Sequence, residues 1–287
     1  MFPATFDYSA PATIDEVLHL LTEHGEGAKL LAGGHSLLPL MKLRFAQPAH
    51  LVDLRRVASL RGIRRERGRL VIGAMTTYAD LAASIDVRDA SPIVTDAASH
   101  IGDPQVRNRG TIGGSIVHAD PAADLPAVML ALDASFVAVS PGGRRAIPSG
   151  EFFVDLYTTA LAANEVLTEI RIPVSTARAG SAYAKHRHPA SRFAIIGVAA
   201  ALELEGMSDR VERVRVAVAG FGNKPLRAIA LEETLIGKPA DAESISVAAS
   251  RIETAGEEGT GSAGAYKAHL ARVCAEQALQ KAVERAR

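Results

Sequence analysis

Two short segments place paired glycines beside small hydroxyl-bearing residues. The first is AGGHSL, residues 32–37, which follows the apolar run KLL, and the second is TIGGS, residues 111–115. Glycine lets a ligand approach the backbone because it has no Cβ, and the N–H groups at the start of a helix attract anions. Two such loops favour a ligand that contains a pyrophosphate, such as a dinucleotide.

The glycine pattern alone leaves a second interpretation open. Neither segment matches the Rossmann pattern Gly-x-Gly-x-x-Gly, and neither ends in the Gly-Lys-Ser/Thr of a P-loop. Paired glycines are also common in turns that bind nothing. Dinucleotide binding and a purely structural turn therefore both remain compatible with the glycine spacing.

The elements around the first segment form a small β–loop–α–β unit that ends near Leu54. Thr13 and Glu16 have capping-box spacing before a helix, and Gly25 is a candidate C-cap. AKLLAG is a predicted buried strand, LLPLMKL a short helix, and AHLVDL a second strand. We assign this unit to a first domain, residues 1–54.

The rest of the chain divides into two further predicted domains. Residues 55–178 contain strands, short helices, the second glycine segment and a hairpin at SFVAVSPGGRRAIP. Residues 179–287 read as strands followed by three helices. Strands that precede helices in this way predict an α+β fold.

Composition excludes several classes of function. The 287 residues are 48% hydrophobic and carry a formal net charge of zero, which favours neither nucleic acid nor a membrane surface. We expect no secretory leader and no membrane span. The one cysteine, Cys274, excludes an internal disulfide and an iron–sulfur cluster held by this chain alone. A reducing compartment, the cytoplasm, is the expected location.

Three other features have purely structural interpretations that compete with functional ones. His118 and Asp120 lack further ligands at metal-binding spacing. Cys274 is predicted to lie on the apolar stripe of the last helix, together with Tyr266, Leu270, Val273 and Gln277, as an inert core residue. An arginine-rich segment favours a solvated hairpin face; docking to an acidic partner is an alternative, and nucleic-acid binding lacks interleaved aromatic residues. Its arginines are Arg55, Arg56, Arg61, Arg64, Arg65, Arg67 and Arg69.

A family resemblance rests on the two glycine segments taken together. AGGHSLLPLMKLRFAQPAHLVDL and GTIGGSIVHADPAADLPAVMLAL resemble the FAD-binding medium subunit of molybdenum hydroxylases, the xanthine dehydrogenase family. Within this family, the two segments look similar to those of the flavoprotein subunit of aerobic carbon monoxide dehydrogenase. The resemblance extends over essentially the whole chain. It implies a two-part FAD-binding region of the vanillyl-alcohol-oxidase (PCMH) type, followed by a C-terminal domain of antiparallel strands and helices.

The resemblance also implies which residues bind the cofactor. The first segment wraps the FAD pyrophosphate in the family, and the second also contacts the cofactor. Asp124 matches an acid that relatives use on the cofactor, Ile101 and Leu167 match apolar positions near the rings, and Lys185 matches a lysine near the isoalloxazine. The implied set is Ala32, Gly33, Gly34, His35, Ser36, Leu37, Ile101, Thr111, Ile112, Gly113, Gly114, Ser115, Asp124, Leu167, Lys185 and Phe193.

Two of these positions depart from the family pattern, and two have alternative roles. Ser115 stands where relatives carry asparagine, and Phe193 where they often carry a tyrosine that covers the isoalloxazine. A phenyl ring stacks as well as a phenol but cannot hydrogen-bond. Asp124 is also a candidate N-cap for LPAVMLAL. A histidine side chain can transfer protons, although a backbone-positioned loop residue is the favoured interpretation of His35.

The function implied by the resemblance is electron transfer. The chain would bind FAD, take electrons from [2Fe–2S] clusters of a small partner subunit and pass them to an external acceptor. A large partner subunit would hold the molybdenum cofactor and the substrate, in a dimer of heterotrimers. A stand-alone FAD oxidoreductase and an FAD-free scaffold subunit are the alternatives.

Overall fold

The computed structural model describes residues 2–174, 177–252 and 262–287. They form helices and several separate β-sheets, arranged along the chain in three successive parts. In the described residues, none of the helices has the length and apolar character needed to cross a membrane.

The first part is a parallel sheet with a helix in each crossover. Its three strands lie in the order β1–β3–β2, with β3 paired in parallel to both neighbours. The Thr13 hydroxyl caps the first helix by accepting from the Glu16 N–H, whereas the Glu16 carboxylate accepts from Ala12. The elements are β1 (Asp7–Ser9), α1 (Ile14–His24), β2 (Ala28–Leu31), α2 (Leu37–Lys42) and β3 (His50–Asp53). The predicted β–loop–α–β unit is therefore present.

The middle part is built on an antiparallel sheet of five strands, in the order β4–β5–β10–β6–β7. The predicted hairpin is confirmed as β6 and β7, whose strands pair antiparallel. The strands are β4 (Ile63–Glu66), β5 (Arg69–Gly73), β6 (Ser135–Ser140), β7 (Gly143–Pro148), the small hairpin β8 (Phe153–Asp155) and β9 (Thr158–Thr159), and β10 (Val166–Pro173). The helices are α3 (Tyr78–Ala83), α4 (Ile85–Ala90), α5 (Pro92–His100), α6 (Pro104–Arg107), α7 (Ile112–His118), α8 (Asp124–Ala131) and α9 (Ser149–Phe152).

The arginine-rich segment runs from a short helical turn at residues 54–56 into the β4–β5 hairpin of this sheet. Several of its side chains are engaged in ion pairs within the protein. Arg64 Nη2 lies 2.7 Å from Glu169 Oε1, and Arg55 Nε lies 2.6 Å from Asp53 Oδ2. These pairs favour the interpretation as a solvated sheet face over a nucleic-acid surface.

The last part is an antiparallel sheet of four strands followed by three helices, as the α+β prediction expected. The final helix packs on the first two strands of the sheet. The elements are β11 (Ala179–Arg187), β12 (Ala194–Leu204), β13 (Val211–Ala219), β14 (Leu226–Arg227), α10 (Ile229–Leu235), α11 (Ala242–Ala249) and α12 (Ser262–Ala286).

The predicted apolar stripe of α12 was partly wrong. Leu270 and Cys274 are buried as expected, but Tyr266 is 51% exposed and Gln277 is also exposed. The buried face is instead built largely from alanines, whose small side chains let the helix lie close to the sheet. Burial raises the pKa of the Cys274 thiol, which keeps it protonated and inert.

The middle and last parts share a hydrophobic core. Tyr183, Ala199 and Ala217 from the last sheet belong to the same buried cluster as Ile112 and Leu125 of the middle part. Helix α8 packs directly against β12 and β13. The domain limits 1–54, 55–178 and 179–287 stay a prediction, and this shared core makes the second and third parts interdependent.

Candidate cofactor site

The first glycine segment forms a tight turn between β2 and α2. Gly34 has φ +80°, in the left-handed region that glycine adopts without strain. Its carbonyl oxygen accepts from the Leu38 N–H at 3.0 Å, which starts the helix. Leu37 is the first helical residue, as predicted, and the His35 side chain is exposed.

This turn presents a row of backbone donors. Within the described residues, the N–H groups of residues 33–37 donate no hydrogen bond to a protein acceptor. Gly33, Gly34, Ser36 and Leu37 are half-buried rather than fully exposed. Successive N–H groups in a turn that enters a helix make a concave site for an anionic oxygen.

The second glycine segment differs from the expected loop, because it forms the first turn of α7. Thr111 caps this helix, and its hydroxyl accepts from the Gly114 N–H at 3.1 Å. The Ile112 N–H donates to Thr76 at 3.0 Å, and the Gly113 N–H donates to Ala74 at 2.9 Å. The expectation of free donors here was therefore wrong, since these groups bind the preceding β5–α3 connection.

The fold brings the two segments into direct contact. A Cβ built on Gly33 would lie 2.8 Å from the Gly110 Cα and 2.9 Å from the Arg109 carbonyl carbon. A Cβ on Gly114 would lie 3.7 Å from the Ala32 Cβ. Thr111, Ile112 and Gly113 are buried behind this junction, while Gly114 and Ser115 are half-exposed. The second segment thus supports the first and contributes its own surface through Gly114 and Ser115.

Tyr78 lies behind the same junction and was missed by sequence reasoning. Its N–H donates to the Gly110 carbonyl at 3.0 Å, and a Cβ on Gly110 would lie 2.9 Å from the Tyr78 Cδ2. Burial raises the pKa of Tyr78 to about 12, and the neighbouring Ser115 hydroxyl opposes the shift. Ser115 therefore faces a neutral phenol inside the protein.

A buried charged group joins the middle and last parts. The Asp124 carboxylate is 5% exposed, and its Oδ2 accepts from Lys185 Nζ at 2.8 Å. Its Oδ1 accepts from the Tyr183 hydroxyl at 2.6 Å. The N-cap of α8 is Ala123, so the predicted capping role of Asp124 was wrong: its side chain points to the last sheet.

The electrostatics of this group follow from burial. Desolvation raises the pKa of Asp124, and the Lys185 ammonium opposes this by its charge and its hydrogen bond. Desolvation and the adjacent carboxylate raise the pKa of Tyr183 well above its usual value. Tyr183 was missed at the sequence level, although it stands two residues before Lys185 in the same strand and so faces the same side.

The three apolar candidates lie in different environments. Ile101 follows α5 and is half-buried, whereas Phe193 is 47% exposed and directly precedes β12. Leu167 is 5% exposed and belongs to the buried core of the middle part. The Arg192 guanidinium donates to the Gly102 carbonyl at 3.1 Å, which joins the residue before Phe193 to the residue after Ile101. The role of each in cofactor binding stays a prediction.

Metal binding finds no support at His118 and Asp120. The His118 ring packs against Tyr157 at a tilt of 34°, with ring centroids 5.0 Å apart, and burial lowers the pKa of His118. No group of three potential His, Cys, Asp or Glu ligands occurs among the described residues.

Comparisons with known proteins match this architecture. Residues 4–175 match the family model "FAD binding domain in molybdopterin dehydrogenase", and residues 159–282 match "CO dehydrogenase flavoprotein C-terminal domain". The chain is 45% identical over 249 residues to the carbon monoxide dehydrogenase medium chain of Hydrogenophaga pseudoflava, which covers 87% of this chain and 86% of the relative. It is 37% identical over 290 residues to the 6-hydroxypseudooxynicotine dehydrogenase complex subunit alpha of Paenarthrobacter nicotinovorans, with coverage of 100% and 97%.

A solved structure agrees over the whole fold. The chain superposes on carbon monoxide dehydrogenase from Hydrogenophaga pseudoflava with a TM-score of 0.92 and 44% identity, covering 99% of both chains. The open donors of residues 33–37 and their contact with the second segment fit the phosphates of FAD. The chain therefore belongs to the FAD-binding family of the molybdopterin dehydrogenases and is the flavoprotein subunit of an oxidoreductase of the molybdenum hydroxylase type.

Proposed function

We propose that this chain carries electrons through FAD between a partner subunit and an external acceptor. The electrons would come from [2Fe–2S] clusters of a small partner subunit. The substrate would be oxidised at a molybdenum cofactor on a large partner subunit, in a dimer of heterotrimers located in the cytoplasm. FAD, when bound, can store one or two electrons, which suits a carrier between one-electron clusters and a two-electron acceptor.

The observation that carries this proposal is the row of open N–H groups at residues 33–37. A pyrophosphate needs several donors at once, and backbone N–H groups supply them without further charge. Gly33 and Gly34 keep Cβ atoms out of the turn, and Ser36 adds a hydroxyl. Ala32 and Gly114 place the second segment beside these donors.

Other residues of the chain would position the rings. Lys185 lies in a buried pair with Asp124, so its ammonium is fixed in place and its charge is compensated. Phe193 offers an exposed aromatic face that can stack on a planar ring. Neither residue needs to move a proton in this role. The role of these residues would therefore be to position the FAD rings and to exclude water from the buried side of the site.

The need for a partner follows from the ligands that this chain lacks. Its one cysteine is buried in α12, and four cysteines are the usual ligands of a [2Fe–2S] cluster. In this proposal the iron–sulfur donor would therefore belong to another chain. Carbon monoxide and 6-hydroxypseudooxynicotine appear in the names of relatives at 45% and 37% identity, and the substrate would be chosen by the large subunit.

The test is reconstitution of electron transfer in the assembled complex. The complex is purified, stripped of FAD, refilled, and reduced with its substrate while flavin absorbance near 450 nm is followed, the usual position of an oxidised flavin band. We expect bleaching only when FAD and the iron–sulfur subunit are both present. Bleaching of the lone chain by an organic substrate would favour a stand-alone oxidoreductase. A complex that turns over without binding FAD would favour a scaffold subunit.

A further inference from the structure

The loop at residues 188–193, between β11 and β12, is a self-contained turn that carries Phe193. The His188 N–H donates to the Phe193 carbonyl at 2.8 Å, and the Arg192 N–H donates to the His188 carbonyl at 2.9 Å. The N–H groups of Ala190 and Ser191 both donate to His188 Nδ1 at 3.3 Å. These bonds hold the loop's shape, but none of them holds the loop to its surroundings.

One hydrogen bond joins this loop to the middle part of the chain. Arg192 Nη1 donates to the Gly102 carbonyl at 3.1 Å, and within the described residues no other hydrogen bond joins residues 188–193 to another part of the protein. Gly102 has φ +49°, and it follows Ile101 directly at the end of α5. The contact therefore spans from the last part of the chain to the middle part.

The Ile101–Gly102 turn, which accepts the bond from Arg192, also accepts hydrogen bonds from Arg107. Arg107 Nη1 donates to the Ile101 carbonyl at 3.0 Å and to the Gly102 carbonyl at 3.4 Å. Arg107 lies in α6, shortly before Thr111 and the second glycine segment. The Gly102 carbonyl thus links the loop of Phe193 to the segment that leads into the candidate site.

Arg192 is suited to a contact that opens and closes. It has φ +60°, a strained conformation for a residue with a long side chain. Its side chain is exposed, so water competes for the guanidinium once the bond breaks. An exposed bond of this kind adds modest stability, and a loop held by it can detach without unfolding the sheet.

We propose that Arg192 is a positioning residue that latches loop 188–193 to the Ile101–Gly102 turn, holds Phe193 at the cofactor site and slows the release of FAD. This inference rests on the proposed function, because it takes the cofactor to lie beside Phe193. The Arg192 guanidinium would act through the loop and need not touch the cofactor.

The test compares Arg192→Met with Arg187→Met. Methionine keeps much of the side-chain length and removes the donor. Arg187 is exposed, stands at the base of the same loop, and makes no side-chain hydrogen bond or ion pair in the described residues, so its variant matches the change in charge. Amide hydrogen exchange of residues 188–193 is measured in the FAD-free chain, and the rate of FAD release is measured in the assembled complex.

We expect Arg192→Met to speed both exchange and FAD release roughly three- to tenfold, as for the loss of a single solvent-exposed hydrogen bond of ordinary strength. Arg187→Met should change neither. Unchanged exchange in the FAD-free chain would overturn the latch, whether or not FAD binds. Faster exchange with unchanged FAD release would overturn its link to the cofactor. A wild-type complex without FAD would contradict the proposed function instead, and the exchange result would still decide the latch.

Discussion

Gly33 lies so close to the chain before the second glycine segment that a Cβ at this position would stand 2.8 Å from the Gly110 Cα. Real Cβ atoms essentially never come so near to backbone atoms, and backbone has little freedom to move away. The two glycine segments are thus joined by a contact that only glycine permits. Close packing therefore accounts for glycine at position 33. The open N–H groups of residues 33–37 are the feature that can bind a ligand.

We therefore expect Gly33→Ala to destabilise the FAD-free chain by about 1–3 kcal/mol, as for other overpacked sites, and to weaken FAD binding. Urea unfolding and a titration with FAD measure the two effects. Gly27→Ala is the matched control, because its Cβ would lie at an ordinary 3.6 Å from the Ala49 Cβ. Equal stability and equal FAD affinity of the two variants would show that the two glycine segments can move apart without loss.

The sequence predicted the local elements well because their signals are local. Thr13 and Gly25 mark the ends of α1, and Pro141 to Gly143 mark the turn of the β6–β7 hairpin. The contact between Gly33 and Gly110 could not be read in this way, since it depends on how the first part packs against the middle part. The resemblance to a family gave most of the candidate site residues, but the contacts that each of them makes are evident only in the folded structure.

Two errors show where sequence reasoning failed. Paired glycines after Thr111 looked like a loop, yet tertiary hydrogen bonds to Ala74 and Thr76 make them the start of a helix. Asp124 looked like a cap, yet the carboxylate turns to Tyr183 and Lys185 of the last sheet. In both cases the partner is distant in sequence, and no local pattern announces it.

Variants of Gly34 and His35 distinguish the contribution of the turn's backbone to FAD binding from that of its side chains. Gly34→Ala forces a Cβ into φ +80°, at a cost of about 1–2 kcal/mol, and should weaken FAD binding about tenfold. His35→Ala should change it less than about threefold, because the site uses N–H groups and this side chain is exposed. Fluorescence titration with FAD compares them. A larger loss for His35→Ala would favour a direct role for the imidazole.

Lys185 compensates a buried carboxylate. Lys185→Met leaves Asp124 without its cation and should lower the free energy of unfolding of the FAD-free chain by about 3–5 kcal/mol near neutral pH. Lys281→Met is the control, since Lys281 is 48% exposed and lies 3.4 Å from Asp96. That pair should contribute about 0–1 kcal/mol. Urea unfolding of both variants measures the difference.

The pH dependence of the Lys185→Met variant has a definite sign. Burial already raises the pKa of Asp124, and loss of the ammonium raises it further. A carboxyl group with a raised pKa binds its proton more tightly in the folded state, so the penalty is relieved as the pH falls below that pKa. The deficit against wild type should therefore be smaller at about pH 5 than at about pH 8. A deficit that grows towards acid pH would contradict this account.

Tyr183 makes the second bond to the same carboxylate. Tyr183→Phe removes a 2.6 Å hydrogen bond to Asp124 and should cost about 1.5–3 kcal/mol, the usual range for a charged acceptor. Tyr266→Phe is the matched change, because the Tyr266 hydroxyl lies 3.4 Å from His186 Nε2 on an exposed side chain. We expect it to stay within about 0.5 kcal/mol of wild type. Equal losses would mean that the buried bond adds nothing.

The most direct test of the central claim is amide hydrogen exchange at residues 33–37 with and without FAD in the assembled complex. The account predicts that these N–H groups exchange freely without the cofactor and become protected when FAD binds, as the flavin absorbance confirms that it is bound. Binding of FAD with no protection at residues 33–37 would contradict the account, because the cofactor would then rest on other groups.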